Sequence, residues 1–188
     1  MENIQPNSFK AWMLAARPKT LTGAAIPVMT GCSLAAMYGH FKIVPAVLCF
    51  LFAFLMQIDA NFVNDLYDFL KGSDREDRLG PERACSQGWI SQKNMIYGII
   101  ITTILAGISG LSLLFFCGWE IIPVGIACIV FAFLYTAGPY PLAYHGFGDI
   151  LVLLFFGFIP VGCTYYIMAH DWNLSVIMAS LACGLVID

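Results

Sequence analysis

Long apolar stretches without any charged residue dominate the chain, and they predict membrane-spanning helices. A helix needs about 20 mostly apolar residues to cross the hydrocarbon core of a bilayer, and four of the six stretches have that length. The second stretch can extend through Asn61 to Phe69, so that its far end is polar but still compatible with a helix. The stretches cover residues 20–39, 43–58, 95–119, 121–148, 150–169 and 173–187.

The sixth stretch is too short to cross a membrane on its own. At 1.5 Å per residue it rises only about 22 Å, against a hydrocarbon core of about 30 Å. It is followed directly by Asp188, the last residue of the sequence. We therefore expect the sequence to be the N-terminal part of a longer polypeptide.

Composition supports a membrane protein. Hydrophobic residues make up 60% of the chain and charged residues only 11%, whereas soluble domains carry about 25% charged residues. The prediction is an all-α, polytopic transmembrane bundle that forms a single membrane domain over residues 1–188 and has lipid as its solvent. A net charge of -3 argues against a nucleic-acid partner.

The basic residues are distributed asymmetrically between the two predicted membrane faces. If the N-terminus is cytoplasmic, eight of the nine Lys and Arg residues lie inside and only Lys42 lies outside. This is a clear positive-inside signal. It predicts a multi-pass protein of the cytoplasmic membrane whose N-terminus, loop 70–93 and segment 140–147 all face the cytoplasm.

Four polar residues interrupt the end of the second stretch. Asn61, Asn64, Asp65 and Asp68 recur at i, i+3, i+4 and i+7, a spacing that places them on one face of a helix. Carboxylate and amide oxygens suit Mg²⁺, which takes one or two protein carboxylates and fills its other positions with phosphate oxygens and water. Polar groups at membrane depth are costly and often functional. Asp59 lies off this face, and the pattern assigns it no role.

A basic segment follows directly and adds donors for a polyanion. Acidic and basic residues in one patch at a membrane surface predict a site for a metal-bound diphosphate. The alternative is a solvated surface loop of mixed charge, in which Lys71 only extends towards the interface. The basic residues are Lys71, Arg75, Arg78 and Arg83.

Four sequence strings together resemble one known family. NDLYD (64–68) followed by KGSD (71–74) resembles the first Asp-rich motif of the UbiA superfamily of membrane prenyltransferases. RPKTLTGAAIPVMTG (17–31), DRLGPERACSQGWIS (77–91) and YTAGPYPLAYHGFGD (135–149) resemble the branch that prenylates 1,4-dihydroxy-2-naphthoate in menaquinone synthesis. The resemblance covers nearly the whole chain, with the motifs in the family's order.

The resemblance implies a fold and a set of site residues. It implies nine transmembrane helices around a central cavity, with two Asp-rich motifs that hold Mg²⁺ and a polyprenyl diphosphate. Asn64 and Asp68 match the metal-binding pair, Asp65 is expected to support them, and Asp74 is the candidate for a further carboxylate. Asp65, Asp68 and Asp74 are thus the expected catalytic acids. Diphosphate contacts are expected from Asn61, Lys71, Arg75, Arg78 and Arg83, and acceptor contacts from Arg17, Lys19, Tyr135, Tyr140, Tyr144 and Asp149.

Some of these assignments have plain structural alternatives. The tyrosines could instead belong to an interfacial aromatic belt, and Asp149 could be a helix N-cap. The second Asp-rich motif of the family does not occur before Asp188. A chain that ended there would lack half of the metal site and would be expected to be inactive.

The implied activity is Mg²⁺-dependent transfer of a polyprenyl group from polyprenyl diphosphate to 1,4-dihydroxy-2-naphthoate. The resemblance further implies loss of CO₂ and diphosphate, giving demethylmenaquinone. Other acceptors, such as 4-hydroxybenzoate or homogentisate, remain open. So do an ion-coupled transporter and a non-catalytic membrane subunit. The polar residues gather at one membrane face rather than at the midplane, which disfavours a transporter.

Overall fold

The computed structural model describes residues 4–72, 82–135 and 148–187, and within these ranges the chain forms only helices and the turns between them. Four helical segments in this part of the chain are long and apolar enough to cross a membrane, and two further apolar helices are shorter. The predicted all-α, polytopic membrane bundle is confirmed.

Seven helices follow one another within the described ranges. The second predicted stretch does continue into its polar end, because α3 runs unbroken to Leu70. The first begins earlier than predicted: α1 lies before the charge-free stretch, where Lys10 and Arg17 had interrupted the apolar pattern. The helices are α1 (Phe9–Ala16), α2 (Leu21–Met37), α3 (Ile43–Leu70), α4 (Gln92–Ser112), α5 (Ile121–Leu134), α6 (Gly148–Ala169) and α7 (Leu174–Ile187).

Local sequence explains where several helices begin and end. Ser8 and Ser91 are N-caps whose hydroxyl oxygens accept hydrogen bonds from the backbone N–H groups of Ala11 and Asn94, as expected for serine at this position. Helix α1 ends at Arg17, which adopts a left-handed conformation with φ of 52°. A short 3₁₀ turn, Pro18–Thr20, then leads into α2.

Helix α3 lies at the centre of the bundle. It packs against α4, α2, α5 and α1, while α6 packs against α7 and α2. Small residues allow the closest approaches, as is usual for helices in membranes. A Cβ atom at Gly31 of α2 would lie 2.6 Å from the backbone oxygen of Val161 in α6. The central part of α6, Leu153–Cys163, is widened into π-helical hydrogen bonding.

Two buried clusters lie at opposite ends of α3. One joins α1, the C-terminal half of α3, the start of α4 and the turn before it, and contains Phe62, Leu66 and Ile90. The other joins the start of α3 to α2 and to the ends of α4 and α6, and contains Val28, Cys49 and Tyr165. Outward-facing side chains of α4, such as Ile101, Ile104 and Ile108, are exposed, as expected for contact with lipid.

Candidate active site

The polar residues of α3 lie beside the first of these clusters. Asn61, Asp65 and Asp68 are only 3%, 1% and 5% exposed, whereas Asn64 is half-buried. All four belong to one helix, as their spacing predicted, but they contact different partners. Because buried polar groups are costly unless hydrogen-bonded, these partners indicate what each residue does.

Asp65 holds the turn that precedes α4. Its Oδ2 accepts a hydrogen bond from the backbone N–H of Ala84 at 2.8 Å, and its Oδ1 accepts one from that of Cys85 at 2.9 Å. Both backbone donors belong to residues that are themselves buried. Each carboxylate oxygen therefore has a fixed backbone partner. The predicted catalytic role of Asp65 remains a prediction.

Asp68 is ion-paired with Arg83. The guanidinium Nη2 of Arg83 donates to Oδ2 of Asp68. Counted for the side chains alone, Arg83 is 6% exposed and Asp68 is 8% exposed. Such charge-assisted bonds are among the stronger hydrogen bonds in proteins. The structure therefore brings together a predicted metal ligand and a predicted diphosphate contact.

Asn61 ties α3 to the junction between α1 and α2. Its Nδ2 donates to the backbone oxygen of Ala16 and to the hydroxyl of Thr20, both at 2.9 Å. Thr20 in turn donates to the backbone oxygen of Arg17 at 2.9 Å. The side chain predicted to contact diphosphate thus joins two segments of the fold, and the diphosphate contact itself remains a prediction.

A large apolar cavity of about 520 Å³ opens between α2, α3, α4, α5 and α6. Asn64 and Tyr135 lie in its lining, near the C-terminal ends of α3 and α5. The C-terminal half of α3 packs against the start of α4, and the short link between α4 and α5 makes these two helices antiparallel, so the two C-terminal ends lie on the same side of the bundle. Among the described residues of the lining, the other polar side chains are Gln57 and Thr164.

The other predicted site residues that the structure describes lie around this end or at its edge. Arg17 is half-buried at the break between α1 and α2, whereas Lys19 and Lys71 are exposed. Asp149 is exposed in the first turn of α6, where a carboxylate interacts favourably with the helix dipole. Five predicted residues lie outside the described ranges, namely Asp74, Arg75, Arg78, Tyr140 and Tyr144.

The described residues offer part of a magnesium site. Asn64 and Asp68 are one turn apart, about 6 Å along the helix axis, and supply an amide oxygen and a carboxylate. Mg²⁺ commonly uses so few protein ligands when phosphate oxygens and water complete its shell. Across the described ranges, no group of three or more His, Cys, Asp or Glu side chains is arranged to hold a metal ion. Asn64 and Asp68 therefore fit a Mg²⁺ ion whose other ligands are diphosphate oxygens and water.

Sequence reasoning missed Gln57 in α3 and left Asp59 without a role. Gln57 lies two turns before Asn64 and also lines the cavity. Asp59 is completely buried, and its Oδ1 accepts hydrogen bonds from Thr102 at 2.5 Å and Thr103 at 3.0 Å. A polar residue inside an otherwise apolar span was the available signal, but its partners on α4 could not be read from the sequence.

The described ranges thus form a helical membrane bundle in which an apolar cavity lies beside the acidic end of α3. The chain is a member of the UbiA prenyltransferase family, whose family model matches residues 24–187.

Curated relatives agree with this membership. Proteins named 1,4-dihydroxy-2-naphthoate octaprenyltransferase from Escherichia coli and Haemophilus influenzae are each 39% identical to it, over 99% and 94% of this chain and 62% and 60% of their own lengths. A protein of the same name from Mycobacterium tuberculosis is 33% identical over 96% of the chain. The chain spans about three fifths of the length of these relatives. No solved structure matches it significantly.

Proposed function

We propose that the protein transfers a polyprenyl group from polyprenyl diphosphate to 1,4-dihydroxy-2-naphthoate. The observation that carries the proposal is the apolar cavity with Asn64 in its lining and the Asp68–Arg83 pair one helical turn further along α3. The names of the relatives favour an octaprenyl donor and a naphthoate acceptor. By the same likeness we propose loss of CO₂ and diphosphate, with demethylmenaquinone as the product.

The cavity suits the hydrocarbon part of such a donor. Its lining is mostly aliphatic and aromatic and is contributed by five helices, so an isoprenoid chain would lie among side chains of matching polarity. A water-poor cavity would also protect an allylic cation from hydrolysis. Tyr135, which lines the cavity at the end of α5, would contact the aromatic acceptor.

The polar end suits the diphosphate. Asn64 and Asp68 would hold Mg²⁺, which neutralises charge that develops on the leaving diphosphate. Arg83 lies within reach of the same place, because its guanidinium already contacts Asp68. Fixed positive groups at a site of developing negative charge are often the largest contribution to catalysis. Following the positive-inside distribution, we place this end at the cytoplasmic face.

The experiment is product formation in membranes from cells that express the full-length protein, with a labelled polyprenyl diphosphate and each of three acceptors. We expect turnover with 1,4-dihydroxy-2-naphthoate, but not with 4-hydroxybenzoate or homogentisate, and loss of turnover when Mg²⁺ is chelated. Asp68→Ala should reduce the rate by about 100-fold or more. Glu120→Gln is the matched control, because Glu120 is exposed at the opposite end of α4.

Retention of parental turnover by Asp68→Ala would exclude this residue as an essential ligand. Turnover with 4-hydroxybenzoate instead would keep prenyl transfer but change the acceptor. Ion flux into liposomes in the absence of any prenyl diphosphate would contradict the enzyme and favour a transporter.

A further inference from the structure

In the turn that precedes α4, two successive backbone N–H groups point at one carboxylate. Ala84 and Cys85 donate to the two oxygens of Asp65 at 2.8 and 2.9 Å. Asp65, Ala84 and Cys85 are 1%, 1% and 5% exposed. This leaves little room around Asp65 for a hydrated ion, and Mg²⁺ gives up its water reluctantly.

These two hydrogen bonds from Ala84 and Cys85 to Asp65, here called the clamp, lie directly beside Arg83. Consecutive Cα atoms are about 3.8 Å apart, so fixing the N–H of Ala84 also fixes the point from which the Arg83 side chain starts. Asp65 and Asp68 are i and i+3 neighbours on one helix face. The carboxylate that holds the turn and the carboxylate that receives the arginine are therefore adjacent.

The rest of the turn is also anchored. The N–H of Trp89 donates to the oxygen of Ala84 at 2.9 Å, and the oxygen of Trp89 accepts from Asn7 at 2.8 Å. Ile90 is buried in the adjoining cluster. The segment that carries Arg83 is thus held against α3 at one side and against the N-terminal segment at the other.

We propose that Asp65 is a positioning residue that clamps the Ala84–Cys85 backbone to α3 and thereby places Arg83 on Asp68, rather than a ligand of the ion. Arg83 then serves as the counterion of Asp68 while no diphosphate is bound, and it contacts the diphosphate when one is. This second part rests on the proposed function, whereas the clamp itself does not.

The clamp is tested independently of prenyl transfer, by the accessibility of the Cys85 thiol. A water-soluble maleimide is added to the folded protein in nanodiscs, and labelling is quantified by mass spectrometry on the tryptic peptide ACSQGWISQK, residues 84–93. We expect Asp65→Ala to label at Cys85 about tenfold faster or more, because the turn opens locally. Amide exchange at Ala84 and Cys85 should accelerate in parallel, and Asp65→Asn, which keeps one acceptor oxygen, should fall between Asp65→Ala and the parent.

Asp59→Asn is the matched control, since Asp59 is an equally buried acid of α3 whose hydrogen bonds go to α4. It should leave Cys85 protected. Unchanged labelling in Asp65→Ala would overturn the clamp. Equal labelling rates in Asp65→Ala and Asp59→Asn would overturn it as well.

The link to Arg83 is tested by kinetics in expressing membranes. Asp65→Ala and Arg83→Gln should each raise the KM for the prenyl diphosphate, and the double variant should be no worse than Arg83→Gln alone, since residues that act through one another are not additive. The Mg²⁺ concentration for half-maximal rate should stay within about twofold of the parent in Asp65→Ala. A large shift in that concentration would make Asp65 a ligand and overturn the proposal. If the full-length parent shows no turnover, the proposed function fails, while the Cys85 result still decides whether Asp65 clamps the Ala84–Cys85 backbone.

Discussion

The carboxylate of Asp59 in α3 accepts a hydrogen bond of 2.5 Å from the hydroxyl of Thr102 in α4. The neighbouring Thr103 donates to the same oxygen at 3.0 Å. This interaction joins the two helices about one turn before Asn64 enters the cavity lining. In a membrane such interhelical hydrogen bonds help to set the rotation of one helix against another, so Asp59 contributes to aiming the polar end of α3.

Replacing Asp59 tests this contribution to stability. Asp59→Asn keeps an oxygen that can accept from both threonines, and we expect parental stability. Asp59→Ala removes that acceptor and should lower the free energy of unfolding by about 1–2 kcal/mol. The cost stays modest because the Thr102 hydroxyl can still donate to the backbone oxygens of Gly98 and Ile99, each at 3.0 Å. The free energy of unfolding is measured by SDS titration. Equal stability of Asp59→Asn and Asp59→Ala would contradict the proposed contribution of this hydrogen bond.

The crossing of α2 and α6 depends on the absence of a side chain at Gly31. A Cβ atom there would lie 2.6 Å from the backbone oxygen of Val161 and 2.9 Å from Cβ of Thr164. Gly31→Ala should therefore destabilise the protein by about 1–3 kcal/mol through overpacking, seen as a lower melting temperature in detergent.

Gly107→Ala in α4 is the control for that substitution, because within the described ranges a Cβ atom at Gly107 has no neighbour within 4 Å outside the backbone of its own helix. It should be neutral or slightly stabilising, as alanine is favoured over glycine in helices. Equal melting temperatures for the two variants would mean that α2 and α6 can separate at no cost.

Glu120, between α4 and α5, provides a prediction about pH. Its own backbone N–H and the Tyr166 hydroxyl, which donates to Oε1 at 2.9 Å, hold the pKa of Glu120 below its ordinary value. A lowered pKa in the folded state stabilises the protein at neutral pH, and this stabilisation is lost as the pH falls through the folded pKa.

We therefore expect Glu120→Gln to be slightly less stable than the parent at about pH 7, with the difference shrinking as the pH falls below the ordinary pKa of glutamate. The effect is small because Glu120 is exposed. Tyr166→Phe removes the same hydrogen bond from the other side and should behave alike. Melting temperatures across this range measure both, and a difference that grows at low pH would contradict the assignment.

Much of the architecture was accessible from the sequence because hydrophobicity acts locally. Charge-free stretches predicted the spans, and the extension of the second stretch beyond Asn61 is confirmed by α3, which ends at Leu70. Motif strings predicted the family, which the family match and the relatives confirm. Helix α1 was missed because Lys10 and Arg17 break the apolar pattern, although both can lie at a membrane surface.

The candidate site was predictable only as a set of residues. Helical periodicity places Asn61, Asn64, Asp65 and Asp68 on one face, yet it cannot say what lies opposite. The partner of Asp65 is a pair of backbone N–H groups, which any residue other than proline can supply, so no side-chain pattern marks them.

The sequence alone thus predicted the lipid environment of this protein, its long apolar helices and the position of the acidic residues along α3. These features depend on properties that each residue carries by itself. Only the tertiary structure decided that Asp65 holds a turn, that Arg83 reaches Asp68 and that Asn64 lines the cavity. These relationships join residues that are distant in the chain, and they exist only once packing has fixed one helix against the next.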